Sequence, residues 1–182
     1  MNKEIEVKVR VSNLDTIRTK LQKIGTFQKK VYQKDVYFVP PGNDFFAQDP
    51  VVEFLRIRHQ KGKNQLAYHT AGDKGKESEH TKEYEVYIND TETMAQILTS
   101  LKFERRFVVE KKREYFQCGE FEIVLDEVKE LGSFVEVEVI NSSKNANYTK
   151  ADCLNFLHQN SLVFQEVVHL SYPELVMRKE RK

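Results

Sequence analysis

At 182 residues, with 40% hydrophobic and 31% charged side chains, the chain is long enough to bury a core without disulfide or metal staples. A formal net charge of +1 excludes a general pull toward nucleic acid or anionic lipid, so any electrostatic argument rests on local clustering. Cys118 and Cys153 lack metal-ligand spacing, no apolar run approaches the roughly 20 residues of a membrane span, and MNKEIEV has no signal-peptide h-region, which together predict a reduced, cytoplasmic, non-membrane protein.

The first element is written in EIEVKVRV. Glu4, Glu6, Lys8 and Arg10 alternate with Ile5, Val7 and Val9, which predicts a strand over 4–11 with one apolar and one charged face. A helix follows over 13–25, capped at Ser12 or Asn13, striped by Leu14, Ile17, Leu21 and Ile24, and stopped at Gly25. Strands are predicted over 31–39, 51–60 and 64–70, the last two joined through the turn in HQKGKNQ. Between them PPGNDFFAQDP reads as a loop that Phe45 and Phe46 anchor, and 70–80 as a polar loop. Next come a strand over 82–88 and a helix over 90–103 striped by Met94, Ile97, Leu98 and Leu101. Strands over 105–118 and 121–128 meet at a tight turn around Gly119, and another strand covers 133–140. A helix over 147–162 carries Leu154, Phe156 and Leu157 with Cys153 as core, and a short helix follows Pro173. The chain reads as a single domain over 1–182.

The charged faces repeat. They carry Glu4/Glu6/Lys8/Arg10, Arg56/Arg58, Glu83/Glu85, Lys111/Arg113, Glu122/Asp126 and Glu136/Glu138, opposite apolar faces such as Tyr84/Val86 and Ile123/Leu125. An antiparallel sheet can turn such a face to water. Acidic and basic pairs fall on different strands, however, and like charges two apart on a strand are about 6.5–7 Å from each other. A solvated face gains nothing from that concentration. The expectation is therefore an α+β fold whose antiparallel sheet curls into a barrel with a charged interior and helices packed outside. Arginine and lysine would hold phosphate oxygens there, and carboxylates would hold Mg²⁺ or Mn²⁺. The ligand this combination implies is a phosphate chain carrying a divalent metal.

These residues resemble the CYTH superfamily, the triphosphate tunnel metalloenzymes. The resemblance rests on Glu4-x-Glu6-x-Lys8, Asp35-x-Tyr37-Phe38, Leu55-Arg56-x-Arg58, Glu83-x-Glu85, Lys111-x-Arg113, Asp126, Leu131-Gly132-x-Phe134-x-Glu136-x-Glu138 and Ser171-Tyr172, in that order. It implies an eight-stranded antiparallel tunnel, and the compact class IV adenylyl cyclases are the most similar branch. By motif, Glu4, Glu6, Asp126, Glu136 and Glu138 become metal ligands. Lys8, Arg56, Arg58, His69, Lys111 and Arg113 become phosphate ligands, and Glu83 and Glu85 line the tunnel. Lys8, Arg113 and Tyr37 are the catalytic candidates. Two positions depart from the family: His69 stands where a lysine is usual, and Thr81 where a basic residue is usual, with Lys74 or Lys76 able to compensate.

The resemblance implies cyclisation of ATP to cyclic AMP with release of pyrophosphate. Water attack on tripolyphosphate or thiamine triphosphate is the alternative, and non-catalytic nucleotide or polyphosphate binding a further one. For a general base the sequence offers Tyr37, which is equally fit to pack, and His69. Asp35 can neutralise a basic neighbour, while His158 and His169 read as surface or hydrogen-bonded histidines. Nothing sets the oligomeric state, and a homodimer is compatible with the sequence.

Overall fold

A computed structural model describes residues 5–48, 50–71, 81–140 and 147–180. The elements run β1 (Glu6–Val11), α1 (Leu14–Ile24), β2 (Thr26–Val39), β3 (Glu53–His59), β4 (Gln65–Ala71), β5 (Thr81–Tyr87) and α2 (Thr91–Ser100). They continue with β6 (Glu104–Cys118), β7 (Phe121–Val128), β8 (Gly132–Val139), α3 (Lys150–Gln159), β9 (Glu166–Val168) and α4 (Tyr172–Glu180). Several predicted boundaries move: α2 ends at Ser100, and α3 spans Lys150–Gln159 and not 147–162. Strand β2 begins at Thr26, directly after α1, because FQKK continues the extended chain through side chains too polar to mark a strand. The final helix begins at Tyr172, with Pro173 in the first turn, where its missing N–H costs nothing. No helix among the described residues is long and apolar enough to cross a membrane.

The expected closed eight-stranded barrel does not form. The described strands make one nine-stranded sheet in the order β5-β4-β3-β2-β6-β7-β8-β1-β9, and its end strands β5 and β9 do not pair. The edge of β1 that an eight-stranded closure would use is taken instead by the ninth strand, which pairs Lys8 with Val168 and Arg10 with Glu166. Its three residues are too few for any alternation to betray it. The α+β class stands, with antiparallel pairing throughout the assigned registers.

The chain divides into two compact units, Met1–Val31 with Lys111–Leu170, and Tyr32–Glu110 with Ser171–Lys182. In the first, α1, α3 and one face of β1, β7 and β8 enclose Val9, Leu21, Ile123, Val135, Val137 and Leu157, all essentially without solvent exposure. Each such side chain contributes about 1.5–3 kcal/mol by leaving water. Cys153 is buried in the same core, and burial pushes its thiol pKa up to about 11. Helix α1 starts where Asn13 Oδ1 accepts from the amides of Asp15 and Thr16 at 2.8 and 3.2 Å. Its end at Gly25 is not a left-handed glycine stop. Gly25 is extended (φ −146°), and a Cβ there would lie 2.2 Å from Cys118 Sγ and 2.7 Å from the Gln117 carbonyl oxygen. Glycine is present so that β6 can come close.

The second unit is built on aromatics. Phe38 and Phe46 are fully buried, and Tyr37 meets Phe46 and Phe54 edge-on at 5.8 and 5.7 Å, with Phe107 at 4.9 Å. Phe45 and Phe46 sit in a short 3-10 turn whose start is held by the Phe46 amide donating to Asp44 Oδ1 at 3.0 Å, so that loop is anchored by burial. Two apolar stripes are less covered than their spacing predicts. Ile97 and Leu101 of α2 are exposed, as are Tyr84 and Val86 of the end strand β5.

Candidate anion and metal sites

In the first unit the sheet face opposite the core is charged, and Lys111, Asp126 and Glu136 are buried on it. Register places Arg113 of β6 opposite Asp126 of β7, and Lys8 of β1 opposite Glu136 of β8. Arg113 Nε donates to Asp126 Oδ1 at 2.7 Å, while Nη2 donates to Oδ2 at 2.5 Å and to Glu136 Oε2 at 2.6 Å. Lys8 Nζ lies 3.4 Å from the other Glu136 oxygen. Asp126 is 0% exposed, Lys111 5% and Glu136 8%. Burial pushes the Glu136 pKa up, but the charges of Arg113, Lys8 and Lys111 overrule it and hold this carboxyl below its ordinary 4.5. Charges this deep persist only when the pairing geometry is good, as it is here. The face is not wholly polar, since Val124, Val128 and Phe134 share it, with the Arg10 guanidinium 4.6 Å from the Phe134 ring centroid.

Along the same face Glu6, Glu138 and Glu122 are successive cross-strand neighbours on β1, β8 and β7. Like charges directly opposite one another destabilise a sheet, and a cation relieves them. Glu122 is the member that motif reasoning left without a role, although its alternation with Ile123 marked the face. Glu4, predicted beside Glu6, lies outside the described residues, as do Lys74 and Lys76.

The second unit has its own charged face on β2 to β5. Arg58 clamps Asp35 with Nε and Nη2 both at 2.7 Å, and Asp35 is 1% exposed, which is the neutralising role its position suggested. Arg56 is held less firmly. Its Nη1 is 3.8 Å from Asp35, its Nη2 is 3.7 Å from Glu85, and its buried Nε has no hydrogen-bond partner. His69 stacks on Phe54, with centroids 4.5 Å apart and planes at 18°, and faces Glu83 across the β4–β5 ladder. Its Nδ1 is 3.1 Å from Glu83 Oε1, and that bond holds the Glu83 carboxyl below its usual range. His69 Nε2 is 3.8 Å from Glu85 Oε1 and has no hydrogen-bond partner. Among the described residues, His69, Glu83 and Glu85 form a group whose ligand atoms lie within 4.8 Å of one another, an arrangement compatible with a divalent metal ion.

Other predicted residues are placed as follows. Tyr37, a catalytic candidate, is 3% exposed, and burial raises its pKa well above the ordinary phenol value. Thr81 opens β5 opposite Ala71. Glu114, to which the motifs gave no part, is buried and bonded by Arg18 at 2.7 Å and Lys30 at 2.8 Å. It sits between Lys111 and Phe116 in a stretch where the flanking charges masked it.

Comparison with known proteins joins here. Residues 2–164 match the family model described as the CYTH domain. A Methanocaldococcus jannaschii protein provisionally named an adenylate cyclase is 32% identical over 94% of this chain and 97% of its own length. A solved structure from Pyrococcus horikoshii superposes with a TM-score of 0.72 at 29% identity, covering 95% of this chain and 99% of that one. A Hippeastrum protein, provisionally an adenylyl cyclase and described as having a dominant triphosphatase activity, shares the fold with a TM-score of 0.68 at 19% identity, covering 98% and 96%.

Proposed function

The chain belongs to the CYTH domain family, and from that premise we propose that it is a metal-dependent hydrolase of a triphosphate, with tripolyphosphate or thiamine triphosphate as substrate. The observation that carries the reading is the set of Lys8, Lys111 and Arg113, Lys111 buried and the other two half-buried, interleaved with buried Asp126 and Glu136 on one sheet face. Lysine and arginine in such a setting grip phosphate oxygens, and carboxylates beside them suit a hard cation that travels with the phosphate chain. The donors fit Mg²⁺ or Mn²⁺: all are oxygens, and Glu136 is kept ionised by its neighbours. Glu6, Glu136, Glu138 and Asp126 would hold that ion, with Glu4 added on sequence grounds. When bound, the metal offsets charge on the phosphate oxygens and favours the attacking water as hydroxide.

The residues themselves do the rest. Lys8, Lys111 and Arg113 position the phosphate chain and neutralise charge that builds as the terminal phosphoryl group leaves. Arg56 and Arg58 are cations of the same kind on the other unit. One observation favours water over a ribose hydroxyl as the nucleophile: Phe45 and Phe46 are buried rather than offering a ring to adenine. Tyr37 keeps its proton and serves as base for neither. The dominant triphosphatase activity described for the Hippeastrum relative points the same way. The provisional name of the M. jannaschii relative supports ATP cyclisation as the second reading.

One assay separates them. The protein is incubated with tripolyphosphate, thiamine triphosphate or ATP, each with Mg²⁺ or Mn²⁺, and the products are identified. Orthophosphate with a diphosphate supports hydrolysis. Cyclic AMP with pyrophosphate would replace that reading by the cyclase, and tight binding without turnover would leave a binding protein.

A further inference from the structure

We propose that His69, Glu83 and Glu85 form a site for a borderline transition ion such as Zn²⁺ or Co²⁺, with His69 Nε2 and the Glu85 carboxylate as ligands and Glu83 fixing the imidazole. The inference rests on these side chains alone and not on the triphosphate reading.

A carboxylate oxygen accepts across this 3.1 Å contact, which places the imidazole proton on Nδ1. The Nε2 lone pair then points away from Glu83. His69 is 7% exposed, and that nitrogen has no hydrogen-bond partner. The Glu85 oxygen 3.8 Å from it is also an acceptor, so two lone pairs face each other and neither can satisfy the other. A cation explains this: ligands about 2.1 Å from a tetrahedral ion lie about 3.4 Å apart, a small closure from the spacing observed.

The frame is already built. Phe54 stacks on the ring, and the β4–β5 register sets His69 opposite Glu83 and Ala67 opposite Glu85, so the donors stand on strands and not on loops. A carboxylate on the far ring nitrogen is the usual second partner of a metal-bound histidine. Charge favours the ion too. The guanidiniums of Arg56 and Arg58 meet three carboxylates, Asp35, Glu83 and Glu85, leaving one negative charge that a divalent ion would reverse. A nitrogen ligand also sets the choice of ion, because imidazole suits zinc and its neighbours while Mg²⁺ prefers oxygen.

The test is titration of the intact protein with Co²⁺, followed by its visible absorption and by the ¹⁵N resonances of His69. The expected result is one bound Co²⁺, a shift confined to Nε2, and displacement by Zn²⁺ but not by a hundredfold excess of Mg²⁺. His69→Gln and Glu85→Gln should each weaken Co²⁺ binding at least tenfold, and Glu83→Gln about ten- to hundredfold through the loss of ring orientation. Glu85 is partly exposed, so its variant tests the site without a folding defect, and the wild-type resonances need no variant. Unmoved His69 resonances, equal competition by Mg²⁺, or undiminished binding in His69→Gln and Glu85→Gln would overturn the proposal. Intact Co²⁺ binding in a protein that turns over no triphosphate would overturn the functional reading alone.

Discussion

Both units set an arginine opposite an aspartate across neighbouring antiparallel strands, Arg113 on Asp126 and Arg58 on Asp35, and both bury the aspartate almost completely. The surroundings of the two pairs differ. Arg113 also reaches Glu136 at 2.6 Å, and Lys8 stands 3.4 Å from the remaining oxygen, so hydrogen bonds and charges close on one another. Beside Arg58, the next cation along β3 is Arg56, whose contacts of 3.7 and 3.8 Å are long and whose Nε has no partner, as His69 Nε2 has none. A satisfied buried network fixes a conformation, whereas a buried donor or acceptor left unmade calls for a ligand to complete it. The first cluster therefore holds its groups in a preset frame, and the second holds Arg56 and His69 more loosely.

The largest effect should come from breaking the frame. Arg113→Ala would take the bidentate partner from Asp126 at 0% exposure and strip Glu136 of another, and losing one member of a buried pair costs about 3–5 kcal/mol. Arg58→Ala should cost less, because Arg56 lies 3.8 Å from the same aspartate and can settle onto it. Urea denaturation of both variants measures the difference, and equal losses would erase the contrast. Acid gives a second measure. Glu136 titrates below its ordinary 4.5 in the folded protein, so its contribution is fully present above that pH and fades as the pH falls through the folded value. Glu83 is also lowered, by its bond from His69, but it is 43% exposed and more screened. Melting temperatures across about pH 3–6 should therefore show a flatter acid limb for Glu136→Gln than for Glu83→Gln.

Much of this frame is legible in the sequence. Alternation in EVKVRV, FLRIRH and FEIVLDEV assigns both faces of β1, β3 and β7 without any knowledge of partners. What alternation cannot carry is pairing at a distance. Whether two end strands meet depends on β9, three residues from the far end of the chain, and an open sheet reads like a barrel strand by strand. His69 registers in sequence only as a departure from a family lysine, and Glu83 and Glu85 as lining. Their convergence follows from the β4–β5 register, which the pattern leaves unspecified. Gly25 is similar, since its cause is Cys118, far along the chain.

That glycine extends the contrast to the apolar side of the first unit. Gly25→Ala should cost about 1–3 kcal/mol as an overpacking change, because β6 cannot yield the space. Adding Cys118→Ala should recover part of the loss, since it removes the sulfur at 2.2 Å and leaves the Gln117 carbonyl oxygen at 2.7 Å. Full recovery in denaturation midpoints would mean that the backbone contact is soft, and the first unit less rigid than its charged face implies.

The smallest change in stability is expected at Arg56. Its ion contacts are too long to contribute much, and its buried Nε already bears desolvation with no bond in return. Methionine matches the aliphatic stem and adapts to irregular space, so Arg56→Met should alter stability by about 1 kcal/mol or less in either direction. Anion binding should respond otherwise. A guanidinium with an unused N–H is a strong phosphate donor, and calorimetry with tripolyphosphate should find affinity lowered by about tenfold or more. Unchanged affinity would remove Arg56 from the phosphate ligands. A stability loss as large as that of Arg113→Ala would mean that the second cluster is as closed as the first, because an unfinished network has little to lose when one of its loosest members is taken away.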